Sequence, residues 1–225
     1  MAGRRTLRRS NYHHGDLRAA LIAAGIVRAR AGGPQAIVLR EVTRIVGVAP
    51  NSAYAHFATL AELKWAVADE ALREMAAAMA AHLDTVASDE PSDPVAGAQT
   101  HLREVGRAYV YYAIAEPGLF RTAMGGKPSA TPLPGEPGNG PEDDGRLVPD
   151  ALLLRSLARL TDVGYLDPTD QAQAVVACWA IVHGLALMLL DLLPPMSADE
   201  QNEKIDAALD VLVTGLASPL NRRGR

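Results

Sequence analysis

The residues of this chain that could do chemistry are few, and their spacing suits recognition better than catalysis. There are six histidines and one cysteine. His13 and His14 are adjacent in a basic, aperiodic stretch, without a third and fourth ligand at zinc spacing. Cys178 stands alone, which excludes a disulfide framework or a cysteine-rich metal site and fits a reducing, cytoplasmic setting. The nearest approach to a phosphate loop is Gly126 and Lys127. Arg121 stands where the opening glycine belongs, and Pro128 where Ser or Thr follows the lysine. No Gly-x-Ser-x-Gly elbow occurs. An enzyme is not expected, nor a metal or cofactor.

What remains are polar and aromatic side chains. Tyr109 and Tyr112 are three apart, Trp179 and His183 four apart, each pair sharing one side of a helix, and Met124 lies in another apolar stretch. An aromatic with a polar tip offers apolar area and one orienting hydrogen bond, as a ligand pocket requires. Trp179 and His183 equally suit packing between helices, and Cys178 suits a small buried apolar residue better than a thiol sensor.

Charge divides the chain. The 225 residues carry a net −4, but residues 1–65 hold ten cations and three anions, leaving 12 cations and 23 anions for the rest. A basic end on an acidic body suggests a nucleic-acid-facing module. No run reaches the ~18 apolar residues of a membrane span, and no secretory h-region follows the N-terminal arginines.

The elements that must position these residues are all helical. Residues 1–15 read as a flexible basic arm. Apolar residues then recur at helical spacing from Leu17 to Val27, closing at Gly32, Gly33 and Pro34. A helix from Leu39 to Val46 stops at Gly47, and another, Pro50 to Phe57, opens on a proline. Two helices of about two turns joined by a glycine-containing turn are the footprint of a helix-turn-helix. Helices follow over 61–86, 95–115, 117–124, 149–163, 169–192 and 197–216, that at 117–124 being short. Residues 126–149, with six prolines and five glycines, read as a mobile loop. The boundaries expected are 1–15 for the arm, 16–60 for the helix-turn-helix domain and 61–220 for a larger helical domain.

Leu39, Arg40, Glu41 and Val42, then Gly47 and Val48, then Tyr54, His56, Phe57 and Leu63 resemble the helix-turn-helix of the TetR family of one-component transcriptional regulators. Tyr12 to Leu17 and the late Trp179, His183 and Gly184 resemble its subgroup with a C-terminal Trp-x-x-x-His-Gly signature. The resemblance implies about nine helices, an N-terminal DNA-binding domain and a C-terminal domain that dimerises and binds a small molecule. It also implies repression from a palindromic operator, relieved by that effector, in a homodimer formed through the last two helices. Leu185, Leu189, Leu192, Leu209, Leu212 and Leu216 are the expected apolar face, with Gly184 permitting close approach.

Residue by residue, the resemblance places Tyr54, His56 and Arg40 at phosphates, with core packing the alternative for Tyr54. Asn51 and Ser52, in the first turn of the third helix, are candidates for base edges or simple helix-start residues. Arg4, Arg5, Arg8 and Arg9 suit the backbone or a minor groove, or a solvated tail. Phe57 belongs to the core. Tyr109, Tyr112, Met124, Trp179 and His183 are the candidate effector pocket. Four positions depart from the family. Val38 and Ala49 replace capping Ser or Thr, Ala55 replaces a common Arg, and Leu60 a common Lys that Lys64 partly replaces. Each lost phosphate contact lowers the salt slope by ~0.9, so a ligand-binding module with weak DNA affinity is the alternative reading.

Overall fold

The computed structural model describes residues 14–87, 91–125 and 148–217. Arg4, Arg5, Arg8 and Arg9 of the expected arm, and most of the expected 126–149 loop, lie outside the described residues. Among the described residues every regular element is a helix. They are α1 (His14–Gly32), α2 (Leu39–Val46), α3 (Pro50–Ala53), α4 (Leu60–Val86), α5 (Pro94–Ala115), α6 (Pro117–Met124), α7 (Pro149–Asp162), α8 (Gln171–Leu187) and α9 (Ala198–Leu216). α1 starts at His14, so the helix takes in the last residues assigned to the arm.

The N-terminal unit follows from local signals. Gly47 ends α2 in the left-handed region, φ 78°, where its N–H bonds the Arg44 carbonyl. A Cβ there would touch nothing within 4 Å, so the backbone angle calls for glycine, not lack of space. Neither Val38 nor Ala49 makes a side-chain capping bond. α3 is shorter than its sequence suggests. It ends at Ala53, and the amides of His56 and Phe57 both donate to the Ala53 carbonyl. That turn swings Phe57 inward beside Leu21, Ile37, Val42 and Leu63, all buried. Thr59 then caps α4, accepting from the Glu62 amide at 3.1 Å while Glu62 accepts from the Ala58 amide at 2.8 Å.

α4 is shared by both halves of the molecule. Leu63 and Val67 close the N-terminal core, while Met75 and Met79 pack deeper, where α4 meets α5, α6 and α7. α5 is the centre of the larger domain, with Leu102, Val105, Val110 and Ala113 buried. α9 opens with a capping box between Ser197 and Glu200 and buries Ile205, Leu209, Leu212 and Leu216.

Three expectations about the last helices need correction. Leu209, Leu212 and Leu216 face inward against the protomer's own core, at 1%, 5% and 6% exposure. The large apolar residue that α9 exposes is Val211, at 71%. Gly184 permits no close approach within the protomer, because a Cβ there would meet nothing within 4 Å. It belongs to an outward ridge at intervals of four (Ala172, Val176, Ala180, Gly184, Met188, Leu192) that runs into a π turn, Met188–Leu192. Finally, Pro168–Leu192 is long and apolar enough to cross a membrane by composition, at mean hydropathy 2.1. Its Val175, Cys178, Val182 and Ala186 are buried in the helical core, while its opposite face, with Ala172, Val176, Ala180, Met188 and Leu192, is exposed.

Candidate functional site

Two sites are positioned by this fold, one at each end of α4. At the N-terminal end, Arg40 and Asn51 are exposed, Ser52, His56 and Lys64 are half-buried, and Tyr54 is 55% exposed while its neighbour Ala53 is buried. Tyr54 is therefore an outward ring, whereas Phe57, at 4% exposure, is the buried aromatic of the small core among the described residues. Tyr54 and His56 ride on the turn after α3 instead of on the helix itself.

The cations of this unit divide by occupation. The Arg18 guanidinium lies 5.2 Å above the Phe57 ring, and Arg28 donates to the Ala36 carbonyl at 3.3 Å. Arg44 pairs with Glu41 at 2.8 Å, and the guanidinium holds that carboxyl below its usual range. Among the described residues no side-chain hydrogen bond or salt bridge engages the guanidinium of exposed Arg40 or the ammonium of half-buried Lys64.

A polar joint ties this unit to the rest. Arg30, near the end of α1, donates to Glu74 of α4 at 2.8 Å and to Glu116, between α5 and α6, at 3.0 Å. α6 crosses α1 at Gly118, where the backbones nearly touch: a Cβ on Gly118 would sit 2.3 Å from the Ala29 carbonyl oxygen. Tyr112 belongs to this joint. It lines a groove with Arg30, Glu74 and Glu116, is 8% exposed, and its hydroxyl has no hydrogen-bond partner among the described residues. Burial pushes its ionisation above the usual range.

The second site lies where α4, α5, α7, α8 and α9 converge. A cavity of about 30 Å³ is lined by Met79, Leu102, Tyr109, Asp150, Trp179 and Leu212 among others. Around it Tyr109, Met124, Trp179 and His183 come together. The Tyr109 hydroxyl is 2.9 Å from His183 Nδ1 and 3.6 Å from Met124 Sδ. A phenol has one proton. It donates to Nδ1 of a His183 whose Nε2 carries the hydrogen, or to Met124 while the oxygen accepts from a protonated Nδ1. His183 stacks on Trp179, ring centroids 4.6 Å apart and planes 8° from parallel, and its other neighbour is Phe120 at 5.6 Å. Burial lowers the His183 pKa from its ordinary value, so the ring is neutral at neutral pH.

Trp179 thus forms cavity wall, and His183 stands behind it, holding both Trp179 and Tyr109 in place. Tyr112 does not join them. Residues three apart on a helix lie about 60° apart around its axis, and here that angle separates the cavity from the α1 joint. The Cys178 thiol also lines the wall, with its pKa pushed up to about 12 by burial, the opposite of a reactive thiolate. Two residues escaped the sequence reading. Phe120 looks like any core phenylalanine, and Asp150 like any acid in the first turn of a helix. No cluster of three or more His, Cys, Asp or Glu that could hold a metal occurs among the described residues.

Comparison with known proteins bears on the family and the fold. The profile of the tetracyclin repressor-like C-terminal domain matches residues 102–214, just over half of the chain. No curated protein matches the sequence. Among solved structures, a protein of unknown function from Rhodococcus sp. RHA1 is similar at a TM-score of 0.61 and 23% identity, covering 93% of this chain and 100% of that one. A TetR variant from Acinetobacter baumannii AYE in complex with minocycline is similar at 0.56 and 17%, covering 96% and 100%. A TetR-family transcriptional regulator from Mesorhizobium loti, so described provisionally, is similar at 0.54 and 14%, covering 88% and 95%.

Proposed function

Because the chain belongs to the tetracyclin repressor-like family of transcriptional regulators, we propose that it is a cytoplasmic repressor that binds a palindromic operator as a homodimer and is released by a small molecule. The observation that carries this reading is the continuity between its two sites. An outward basic and aromatic face on α2, α3 and the start of α4 is joined through the Arg30, Glu74 and Glu116 cluster and the Gly118 crossing to an aromatic-walled cavity.

In this reading residues 16–60 form the DNA-binding domain and 61–220 the effector and dimerisation domain. Arg40, Tyr54, His56 and Lys64 contact phosphates, with Arg4, Arg5, Arg8 and Arg9 following the backbone, and these contacts set register. Asn51 and Ser52 meet base edges. Tyr109, Met124, Trp179 and His183 form or support the effector site, a role for which the minocycline complex of the structurally similar TetR variant offers a parallel. Two protomers meet through the outward ridge of α8 and Val211 of α9. Two-fold symmetry of such a dimer requires a symmetric operator.

A second reading has its own observation. Two uncapped helices and a four-residue α3 fit a ligand-binding module with weak DNA affinity. Fluorescence anisotropy with duplexes from beside the protein's own gene, at two salt concentrations, separates the two. The regulator binds one duplex ~10³-fold above random DNA, with a steep salt slope. Failure of every such duplex to exceed random DNA favours the second reading.

A further inference from the structure

Among the described residues the cavity wall is apolar and aromatic except for one charged group. Asp150, the second residue of α7, is partly buried beside Tyr109 and Trp179. Among the described residues no Lys, Arg or His pairs with it and no donor hydrogen-bonds to it. Burial raises its pKa above the ordinary value. The remaining wall includes Met79, Leu102, Leu153 and Val182. A carboxylate in such surroundings is costly unless something compensates it. The peptide dipoles at the start of α7 offset part of that cost, but an acid serves a helix start equally well in solvent. Folding therefore gives no reason to turn this carboxylate toward the cavity.

We propose that the effector is a small amphipathic cation, an ammonium or amidinium group attached to an aromatic or alkyl body. Its charge pairs with Asp150, and its body lies against Trp179 and Tyr109. His183 covers one face of the Trp179 indole and holds the ring at the wall, where its π surface adds a cation–π attraction to the ion pair. At about 30 Å³ the cavity has room for one water-sized group, so the body of the effector displaces wall side chains on binding. Met79 in the wall and Met124 against Tyr109 are the flexible side chains able to repack. This inference rests on the reading of the cavity as the effector site.

The test uses the full-length protein and two probes of matched shape, benzyltrimethylammonium and its neutral carbon isostere neopentylbenzene, in isothermal titration calorimetry. The cation binds at least tenfold tighter than the isostere. Asp150→Asn lowers cation affinity tenfold or more, leaves the isostere unchanged and does not lower Tm. Asp150→Glu, which keeps the charge, retains the preference. Equal affinity of the native protein for the two probes, or no cation binding at millimolar concentration, overturns the proposal whatever the variants do. A fall in Tm with both affinities reduced alike shows a structural carboxylate and overturns it too. Operator binding is measured separately. A protein that selects the cation but binds no operator upholds the site and removes the regulator, and the reverse result removes only the cation site.

Discussion

Gly118→Ala probes the joint through which the two sites would communicate. An ideal Cβ at this position lies 2.3 Å from the Ala29 carbonyl oxygen, 2.8 Å from that of Arg30 and 3.1 Å from the Arg30 carbonyl carbon. A carbon approaches a carbonyl oxygen no closer than about 3.3 Å in ordinary contacts, so α6 and α1 must separate by about 1 Å. The opposing atoms are backbone, and no side-chain rotation relieves the clash. Inserting one carbon into a packed contact costs about 1–3 kcal/mol. For a chain of this size 2 kcal/mol lowers Tm by about 4–8 °C. The separation also stretches the Arg30 to Glu116 bond, now 3.0 Å, because Glu116 immediately precedes α6. The expected result is a Tm lowered by several degrees with the far-ultraviolet circular dichroism unchanged. In anisotropy, affinity for the bound duplex falls as α1 tilts away from α4. An unaltered Tm and duplex affinity for Gly118→Ala would falsify the close crossing of α1 and α6 and the coupling built on it.

Three further predictions address other parts of the reading. Val211→Glu places a charge on the outward face of α9; sedimentation velocity then shows a monomer with helicity retained, and a persisting dimer would place the interface elsewhere. Tyr54→Ala weakens specific and random duplexes about equally and leaves Tm within about 1 °C, as expected for an exposed ring, whereas a large drop in Tm would return Tyr54 to the core. The third concerns pH. The folded protein holds His183 below its ordinary pKa of 6.5, so the unfolded chain takes up the proton first as pH falls. That stability is present above 6.5 and is lost as pH drops through and below it. Tm measured from pH 7.5 to 5.5 therefore falls, and His183→Gln flattens that part of the profile. Asp150 acts in the opposite direction, since its raised pKa favours folding at low pH and opposes it as the carboxyl ionises. The His183 comparison is accordingly repeated in an Asp150→Asn background, and an unchanged profile there would remove His183 as its cause.

Much of this molecule is legible along the chain. Helical period, prolines at first positions and Gly47 after α2 locate the helices because each is a local condition on a few neighbouring residues. The α3 boundary is the exception. Nothing local stops that helix at Ala53; the burial of Phe57 does, by pulling the chain into a turn. The candidate site shows the same division. Trp179 and His183, four apart, stack on one another, whereas Tyr109 and Tyr112, three apart, line different places.

The sequence by itself determined that this is a helical protein with a basic N-terminal end, a helix-turn-helix and no constellation for covalent catalysis. Only the tertiary structure decided which way each helix faces. Leu209, Leu212 and Leu216 turned inward and Val211 outward, Tyr112 went to the Arg30 joint, and Asp150 became a carboxylate of the cavity wall. The reason is geometric. Spacing along a helix specifies the angles between its own side chains, but the rotation of the whole helix about its axis is set by the neighbours it packs against.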